Sequence, residues 1–343
     1  MKFISLSDIH LADSLDFESS FSKLIRDVKW ESFRDILLKN KDVDFALISG
    51  DLYERNYFTM ADYQKLFRII EDFGKNVYYI SGNHDYIDES NDIFFENKPK
   101  NLYTFDNQMI EFFEYKKVRI YGISYSDRIF DKRFNYNLNL NKDYYNILLA
   151  HGEIGNEDSN YLNLDYNKLK SIGFDYVGVG HIHKRHKFNK EIYYVGSIEP
   201  QSFKDRYDYG YNLYDERKIR QISSAKLSFK TLSVDLEDFE NLDNLISFIR
   251  DRIENKYNFL KLEVDNYDKF EIKTGRVKKA CSLVYLELMY KKTKDYYKKL
   301  SKQYENTLLD DFYKKAISLD QTDPVNKRSL EIGFDAILRS KDG

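Results

Sequence analysis

Cysteine is nearly absent from this chain of 343 residues. Cys281 stands alone, which excludes an internal disulfide framework and a zinc–thiolate cluster. Three prolines and 14 glycines are too few for a collagen-like or proline-rich disordered chain. No long apolar run is present, so no transmembrane helix is expected. The opening segment, MKFISLSDIH, enters an apolar strand without the cationic and small-residue flanks of a signal peptide, and a cytoplasmic protein is expected. Neither sign of charge dominates: 54 Lys and Arg stand against 57 Asp and Glu, a net charge of −3. The signs are unevenly spread, with the first 200 residues net acidic and the remainder net basic. That asymmetry fits a cation-binding site beside a polyanion-binding surface, and it fits a solvated surface equally well. What is abundant is aromatic: 30 Tyr and 25 Phe. Stacking on nucleic-acid bases is one use for them; filling a core is the better reading.

The length suggests about two domains of roughly 150 residues. Over the first 200 residues short apolar strands alternate with helical patterns. The strands are Phe3 to Leu6, Phe45 to Ser49, Val77 to Ser81, Val118 to Tyr121, Ile147 to Ala150, Tyr176 to Val179 and Ile192 to Val195. Leu24, Ile25, Val28, Phe33, Ile36 and Leu37 predict one helix; Tyr63, Leu66, Phe67 and Ile70 predict another, stopped by Gly74. This alternation predicts an α/β fold, whose working residues sit just beyond the strands' carboxyl ends. After Gly196 the pattern changes. Strands are expected at 209–214, 225–236, 260–264 and 283–289, a helix over 242–253, and polar-rich helical segments over 296–317 and 325–338.

Five of the six histidines directly follow an expected strand. Asp8 and His10 lie in SDIH, Asp51 in SGDLYE, Asn83, His84 and Asp85 in SGNHD, His151 in LLAHGE, and His181 and His183 in GVGHIH. Hard oxygen and imidazole donors without a thiolate suit manganese or iron and tolerate zinc. Asp-x-His and His-x-His place alternate side chains on one side of an extended segment. Gly50, Gly82 and Gly180 immediately precede these residues, where close backbone approach or unusual dihedrals would need a residue without a Cβ. A lone Asp-x-His arises by chance, a lone His-x-His in a loop is usually solvated, and GNHD alone reads as a turn. Five such elements in a fixed order, each at a strand end, do not reduce to these. His186 in HKRHKF fits no ligand spacing, and Cys281 reads as a small core residue.

In this order, DIH, GDLYE, GNHD, AHGE and GHIH resemble the calcineurin-like metallophosphoesterase superfamily, and YVGSIEPQSF after GHIH resembles its SbcD/YhaO type of DNA repair nuclease. The resemblance implies a metallophosphoesterase β-sandwich flanked by helices, with a smaller C-terminal α/β cap and a helical tail. It implies two divalent metals: Asp8, His10 and His183 on the first, Asn83, His151 and His181 on the second, and Asp51 bridging both, with the ions about 3.5–4 Å apart. Manganese is the first expectation, with iron, magnesium and zinc as alternatives. Water made nucleophilic between the cations would attack phosphorus, His84 would assist the leaving group, and Asp85 would orient His84. The implied activity is a 3′→5′ exonuclease on duplex ends, with endonuclease action on single strands or hairpins, in double-strand-break repair. The implied partners are DNA and an SbcC-like coiled-coil ATPase; homodimerisation is left open, and no membrane is expected.

On this reading residues 1–236 form the nuclease domain, 237–292 a capping domain that contacts DNA, and 293–343 a helical segment with ATPase docking as a candidate role. The window 271–300 carries Lys273, Arg276, Lys278, Lys279, Lys291, Lys292, Lys294, Lys298 and Lys299 against Glu271, Glu287 and Asp295. Phosphate contact is one reading, chiefly through Lys291, Lys292, Lys298 and Lys299, and a solvated face is the other. Val325, Leu330, Ile332, Phe334, Ile337 and Leu338 are dense enough to pack on the cap or to meet a partner helix. The rival activity is a calcineurin-like phosphatase or cyclic-nucleotide phosphodiesterase of small substrates; GDLYER in place of GDxVDRG and the added C-terminal part stand against it. A scaffold that has lost its metals is the rival outside enzymes, and the intact ligand set stands against that.

Overall fold

Alternation along the first strands decides the layers. In β1 (Lys2–Leu6), β2 (Phe45–Ser49) and β3 (Asn76–Ile80), side chains point to opposite faces with a period of two. Ile4, Leu6, Ala46, Ile48, Val77 and Tyr79 face Phe33, Ile36 and Leu37 of α1 (Ser19–Lys39) and Leu66 and Ile70 of α2 (Met60–Phe73). Phe3, Phe45, Leu47, Tyr78 and Ile80 turn the other way, onto Ile120, Ile147, Leu149 and Tyr176 of a second sheet. Both faces are therefore buried, and the strands read as unbroken apolar runs. The computed structural model describes residues 1–343 except 14, 16, 18, 89–94, 106–108, 131–132, 157–158, 205–206, 217, 254, 267–268, 291–296, 299–300, 303, 321 and 340–343, and except the side chains of 19, 327, 331, 335, 338 and 339.

The first sheet adds β4 (Leu102–Thr104), β12 (Gly210–Asp215) and β13 (Lys218–Ser223), in the order β13-β12-β1-β2-β3-β4, with β1 to β4 parallel. The second contains β5 (Glu111–Tyr115), β6 (Val118–Gly122), β7 (Tyr145–Ile154), β9 (Tyr176–Gly180), β10 (His186–Lys187) and β11 (Ile192–Tyr194), in the order β10-β11-β9-β7-β6-β5, with β8 (Leu162–Leu164) beside β7. Its central strands β6, β7, β9 and β11 are parallel. Its outer face packs Leu148, Ala150, Val177 and Val179 on Leu169 of α3 (Tyr166–Ile172) and on Phe130 and Phe134. The result is a mixed α/β fold of sheets flanked by helices.

Local signals place the helix ends. Thr59 caps α2 with a reciprocal box to Asp62, a device worth about 1 kcal/mol, and Gly74 ends the helix at φ 71°. The expected helix over 296–317 is interrupted: α6 (Leu308–Ile317) begins only after Asn306, which stands at φ 63° and donates its N–H to Asp310. Residues 296, 299–300 and 303 of that expectation lie outside the described residues.

The chain divides into two compact units. The first comprises residues 1–230, 251–259 and 282–285; the second comprises 231–250, 260–281 and 286–343. Strands β14 (Leu227–Asp235), β15 (Tyr257–Asp265) and β16 (Leu283–Tyr290) pair in the order β14-β15-β16. The second unit also holds α4 (Leu242–Arg250), α5 (Thr274–Ala280), α6 and α7 (Pro324–Arg339). Leu330 and Phe334 of α7 pack on Tyr297, Leu309 and Ala316, while Val325 and Ile332 are exposed. The side chain of Leu338 lies outside the description. Cys281 is buried, as a small core residue should be. No helix among the described residues is long and apolar enough to cross a membrane.

Candidate metal centre

The carboxyl ends of parallel strands from both sheets converge on one place in the first unit. β1 leads to Asp8 and His10, β2 to Asp51, β3 to Asn83 and His84, and β9 to His181 and His183; His151 lies within β7 itself. Asp8, His10, Asp51 and His181 have φ of 49°, 50°, 51° and 89°. Such left-handed backbone costs a non-glycine residue about 1–3 kcal/mol and persists only where the surroundings over-determine it. Here they do: Asp8 donates its N–H to Gly50 O at 3.1 Å, His10 to Asp51 O at 3.0 Å, and His181 to the Asp8 carboxylate at 2.9 Å.

Ligand-type atoms of Asp8, His10 and His183 lie within 4.8 Å of one another, and so do those of Asp51, His151 and His181. The Asp51 carboxylate reaches both groups, with Oδ2 3.3 Å from His151 Nε2 and 3.8 Å from His10 Nε2. Asn83 Oδ1 stands 3.0 Å from His151 Nε2 and 3.2 Å from His181 Nδ1.

The positions of the ring protons decide whether the donor set fits cations. His151 Nδ1 is 2.9 Å from the Ser49 carbonyl, which only accepts, so Nδ1 carries a proton. In the neutral ring Nε2 then points a lone pair at two oxygens, Asn83 Oδ1 and Asp51 Oδ2. His10 donates Nδ1–H to Glu54 Oε1 at 2.6 Å, and its buried Nε2 has no hydrogen-bond partner among the described residues. Lone pairs gathered on lone pairs are stable only around positive charge. Without a cation a proton must serve: burial favours the neutral ring of His151, but the Asp51 carboxylate outweighs it and lifts the group to about 9. Burial likewise works against an ionised Asp51, and His151, His10 and His84 outweigh it, holding that carboxyl well below its usual range. A divalent ion in each group satisfies all these atoms at once, and imidazole with carboxylate and amide oxygen suits manganese, iron or zinc.

His84 borders this cluster, grouped with His10 and Asp51. Its backbone N–H donates to Asp51 Oδ1 at 2.9 Å, and its Nδ1 lies 3.0 Å from Glu54 Oε2. Burial opposes its charged form, but the hydrogen bond to Glu54 and the charges of Asp51 and Glu54 raise it to about 9. Burial also raises Glu54, but hydrogen bonds from His10 and His84 prevail and bring it to about 2. The carboxylate that holds His84 is thus Glu54 and not Asp85, which corrects the sequence-based assignment. Asp85 is fully buried and accepts the N–H groups of Gly82 at 2.5 Å, Asp51 at 3.1 Å and Leu52 at 2.5 Å, together with the Tyr79 hydroxyl at 2.7 Å. It braces the Asp51 loop from behind. Burial, reinforced by the charge of Asp51, raises it to about 7. Glu54 had a signal in the sequence, an acid in the Asp51 loop of GDLYE, but nothing in the spacing distinguishes it from a solvated acid.

Close approach explains all three glycines. A Cβ on Gly50, at φ 83°, would fall 2.3 Å from His151 Nδ1; one on Gly82 would fall 2.4 Å from Asp51 Oδ1 and 2.7 Å from His151 Nε2; one on Gly180 would fall 2.0 Å from the Ser49 carbonyl oxygen. Gly82→Ala is expected to displace both Asp51 and His151 and to lower divalent-metal content per chain below that of the wild type. Unchanged content by elemental analysis would show that the loop gives way without disturbing the donors.

Of the lysines assigned to DNA, Lys298 is described and exposed, whereas Lys291, Lys292 and Lys299 lie outside the described residues. His186 is exposed and belongs to none of the candidate metal groups. The aromatic excess fills cores: Tyr53, Tyr78, Tyr79, Tyr125 and Tyr176 are all fully buried.

Comparison with known proteins gives a match of residues 1–185 to the calcineurin-like phosphoesterase family. YhaO of Bacillus subtilis (strain 168), an uncharacterized metallophosphoesterase, is 26% identical over 284 residues, covering 73% of this chain and 67% of its own. Among solved structures, TT1561 of Thermus thermophilus is 14% identical with a TM-score of 0.42, covering 65% of this chain and 98% of its own. AQ665 of Aquifex aeolicus, a protein of unknown function, is 16% identical with a TM-score of 0.25, covering 53% and 79%. Both structural likenesses are too loose to bear on function.

Proposed function

The chain belongs to the calcineurin-like phosphoesterases, metal-dependent hydrolases of phosphoesters, and from that premise we propose that it is a nuclease that cleaves the phosphodiester bonds of DNA in double-strand-break repair. The observation that carries the DNA reading is the division of labour along the chain. Every candidate ligand lies between Asp8 and His183 in the first unit, so hydrolysis of a small phosphoester needs nothing from the second. The second unit nevertheless holds most of the basic window 271–300, as a surface gripping a polyanion would. The likeness to YhaO also runs past residue 185 into the rest of the chain.

Asp8, His10 and His183 would hold one cation, Asn83, His151 and His181 the other, and Asp51 would be shared. Two bound cations neutralise the phosphodiester's charge and supply a hydroxide near neutral pH. The chain's own residues do the rest. His10 and His151 are fixed in the tautomer that leaves Nε2 bare by Glu54 and by the Ser49 carbonyl. His84, held through Nδ1 by Glu54, has its other ring nitrogen available to give a proton to the departing alkoxide. Asp85 keeps the Asp51 loop in its strained shape. Exonuclease action from 3′ to 5′, endonuclease action on single strands or hairpins, and docking of a coiled-coil ATPase through the residues from 293 onward are the finer parts of this proposal. Among the described residues, Leu308, Leu319, Val325 and Ile332 are exposed apolar groups available to such a partner.

The test is an assay of linear duplex, plasmid and bis-p-nitrophenyl phosphate, with manganese and with chelator. Manganese-dependent cleavage of DNA is expected. Hydrolysis of the chromogenic ester alone would sink the DNA reading and favour a small-substrate phosphatase or cyclic-nucleotide phosphodiesterase. Neutralising Lys291, Lys292, Lys298 and Lys299 together is expected to weaken DNA binding and to reduce its salt slope by about one for each lost phosphate contact. The chromogenic diester should be cut as before. An unchanged slope would leave the basic run as a solvated surface.

A further inference from the structure

Behind the second cation position stands a carboxylate that none of the motifs' ligand roles uses. Glu153 lies two residues beyond His151 on β7, so both side chains leave the strand on the same side. His181 Nε2 is 3.3 Å from Glu153 Oε1, and its Nδ1 faces Asn83 Oδ1 at 3.2 Å. Both oxygens only accept, so the neutral ring can offer its one proton to either; a cation held at Nδ1 beside Asn83 would leave that proton on Nε2, facing the Glu153 carboxylate. The other Glu153 oxygen, Oε2, accepts from Asn156 Nδ2, and the Asn156 carbonyl in turn accepts from Asn163 Nδ2 on β8. The ring of Tyr161 lies 4.1 Å from that of His181, centroid to centroid. These contacts depend on β8 lying directly against β7, and Gly152 allows it: a Cβ there would fall 2.1 Å from the Leu162 carbonyl oxygen.

We propose that Glu153 is the positioning residue of the second cation: with Tyr161 it fixes the ring orientation and tautomer of His181, and it does so without ligating the ion. The proposal rests on the two-cation reading above. The torsion that turns an imidazole about its Cβ–Cγ bond is broad and roughly two-fold, so an unrestrained His181 would present its bare nitrogen to the ion only part of the time. A hydrogen bond to one ring nitrogen removes that freedom and raises the basicity of the other, and loss of such a partner typically costs about 10–100-fold in metal affinity. The site thus has a separate restraint for each of three imidazoles: Glu54 on His10, the Ser49 carbonyl on His151 and Glu153 on His181. Only the last acts on the second group through a side chain, which makes it open to substitution.

The experiment is titration of the metal-free chain with manganese, following ions bound per chain and the electron paramagnetic resonance signal of the coupled pair. Wild type is expected to bind two ions and show the coupled spectrum. Glu153→Ala should keep the tighter ion and bind the second about 10–100-fold more weakly, so that at intermediate manganese the coupled spectrum gives way to that of an isolated ion. Glu153→Gln, which keeps an accepting oxygen without the charge, should fall between the two. The metal-free variants should melt with the wild type, since Glu153 is partly exposed. Two equally tight ions in Glu153→Ala would overturn the proposal alone. Loss of both ions together with a lower melting temperature would overturn it too, by making Glu153 a structural residue. A wild type that binds neither manganese nor, in the same titration, iron, zinc or magnesium would sink the two-cation reading itself and the proposal with it.

Discussion

Asp51→Ala is expected to empty both cation positions and to reduce hydrolysis of every phosphoester to background. Asp51 lies within reach of both donor groups, 3.3 Å from His151 Nε2 and 3.8 Å from His10 Nε2. Its other oxygen takes the backbone N–H of His84, so the residue also fixes where the proposed acid sits. Water can replace an oxygen ligand but not a negative charge, and the two cations would then face each other with only Asp8 among the ligands to offset them. The loss of affinity should therefore exceed the roughly 10–100-fold that follows removal of a partner behind the ligands. Metal content per chain and turnover should fall together. The metal-free variant needs its own melting curve, because Asp51 is buried and stands at φ 51°. Alanine also removes the charge that raises His151 against its burial, so that ring should lose its enhanced affinity for a proton. A folded variant with near-wild-type manganese and turnover would remove Asp51 from the centre of the mechanism.

The sequence made the site more legible than its supports. The donors were visible because parallel strands with two buried faces leave short apolar runs, and whatever polar residue follows such a run stands at the sheet's working edge. Phe45 to Ser49 followed by Gly50 and Asp51 is the clearest case. Edge strands gave no such signal. β5, EFFEY, and β13, KIRQIS, carry charges on their open faces and are not among the strands the sequence predicts, although each pairs along its length. The roles of the two acids beside His84 were also hidden. Asp85 follows His84 in the chain and so suggests itself as its partner, but the chain bends through residues 83–85 and the two side chains meet different neighbours. His84 faces the donors, while Asp85 turns inward to four hydrogen-bond donors of β3 and the loops around Asp51 and Gly82. Glu54, thirty residues earlier, comes to His84 only because β2 and β3 are neighbours in register, from Phe45 beside Asn76 to Ser49 beside Ile80. Adjacency in the sheet, not in the sequence, chose the partner.

That partnership sets the outcome of the second large change. His84→Gln should retain both cations, because Glu54 stays anchored by His10 Nδ1 at 2.6 Å and every donor of the two metal groups is untouched. It should nevertheless lose about 10²–10⁴-fold of its rate on DNA, the usual worth of a positioned general acid. The leaving group decides how much of this is acid catalysis. A DNA alkoxide departs poorly without a proton, whereas p-nitrophenolate departs readily, so bis-p-nitrophenyl phosphate should be affected much less by the same substitution. Equal losses on both substrates would mean that His84 holds the phosphate and does not protonate the leaving oxygen. Loss of an ion would mean something else again, that His84 is a ligand, as its place beside His10 and Asp51 would allow. Manganese content and the ratio of the two rate losses together separate the three roles, and the hydrogen bond from Nδ1 to Glu54 favours the acid: it commits one ring nitrogen to the protein and leaves the other for the proton.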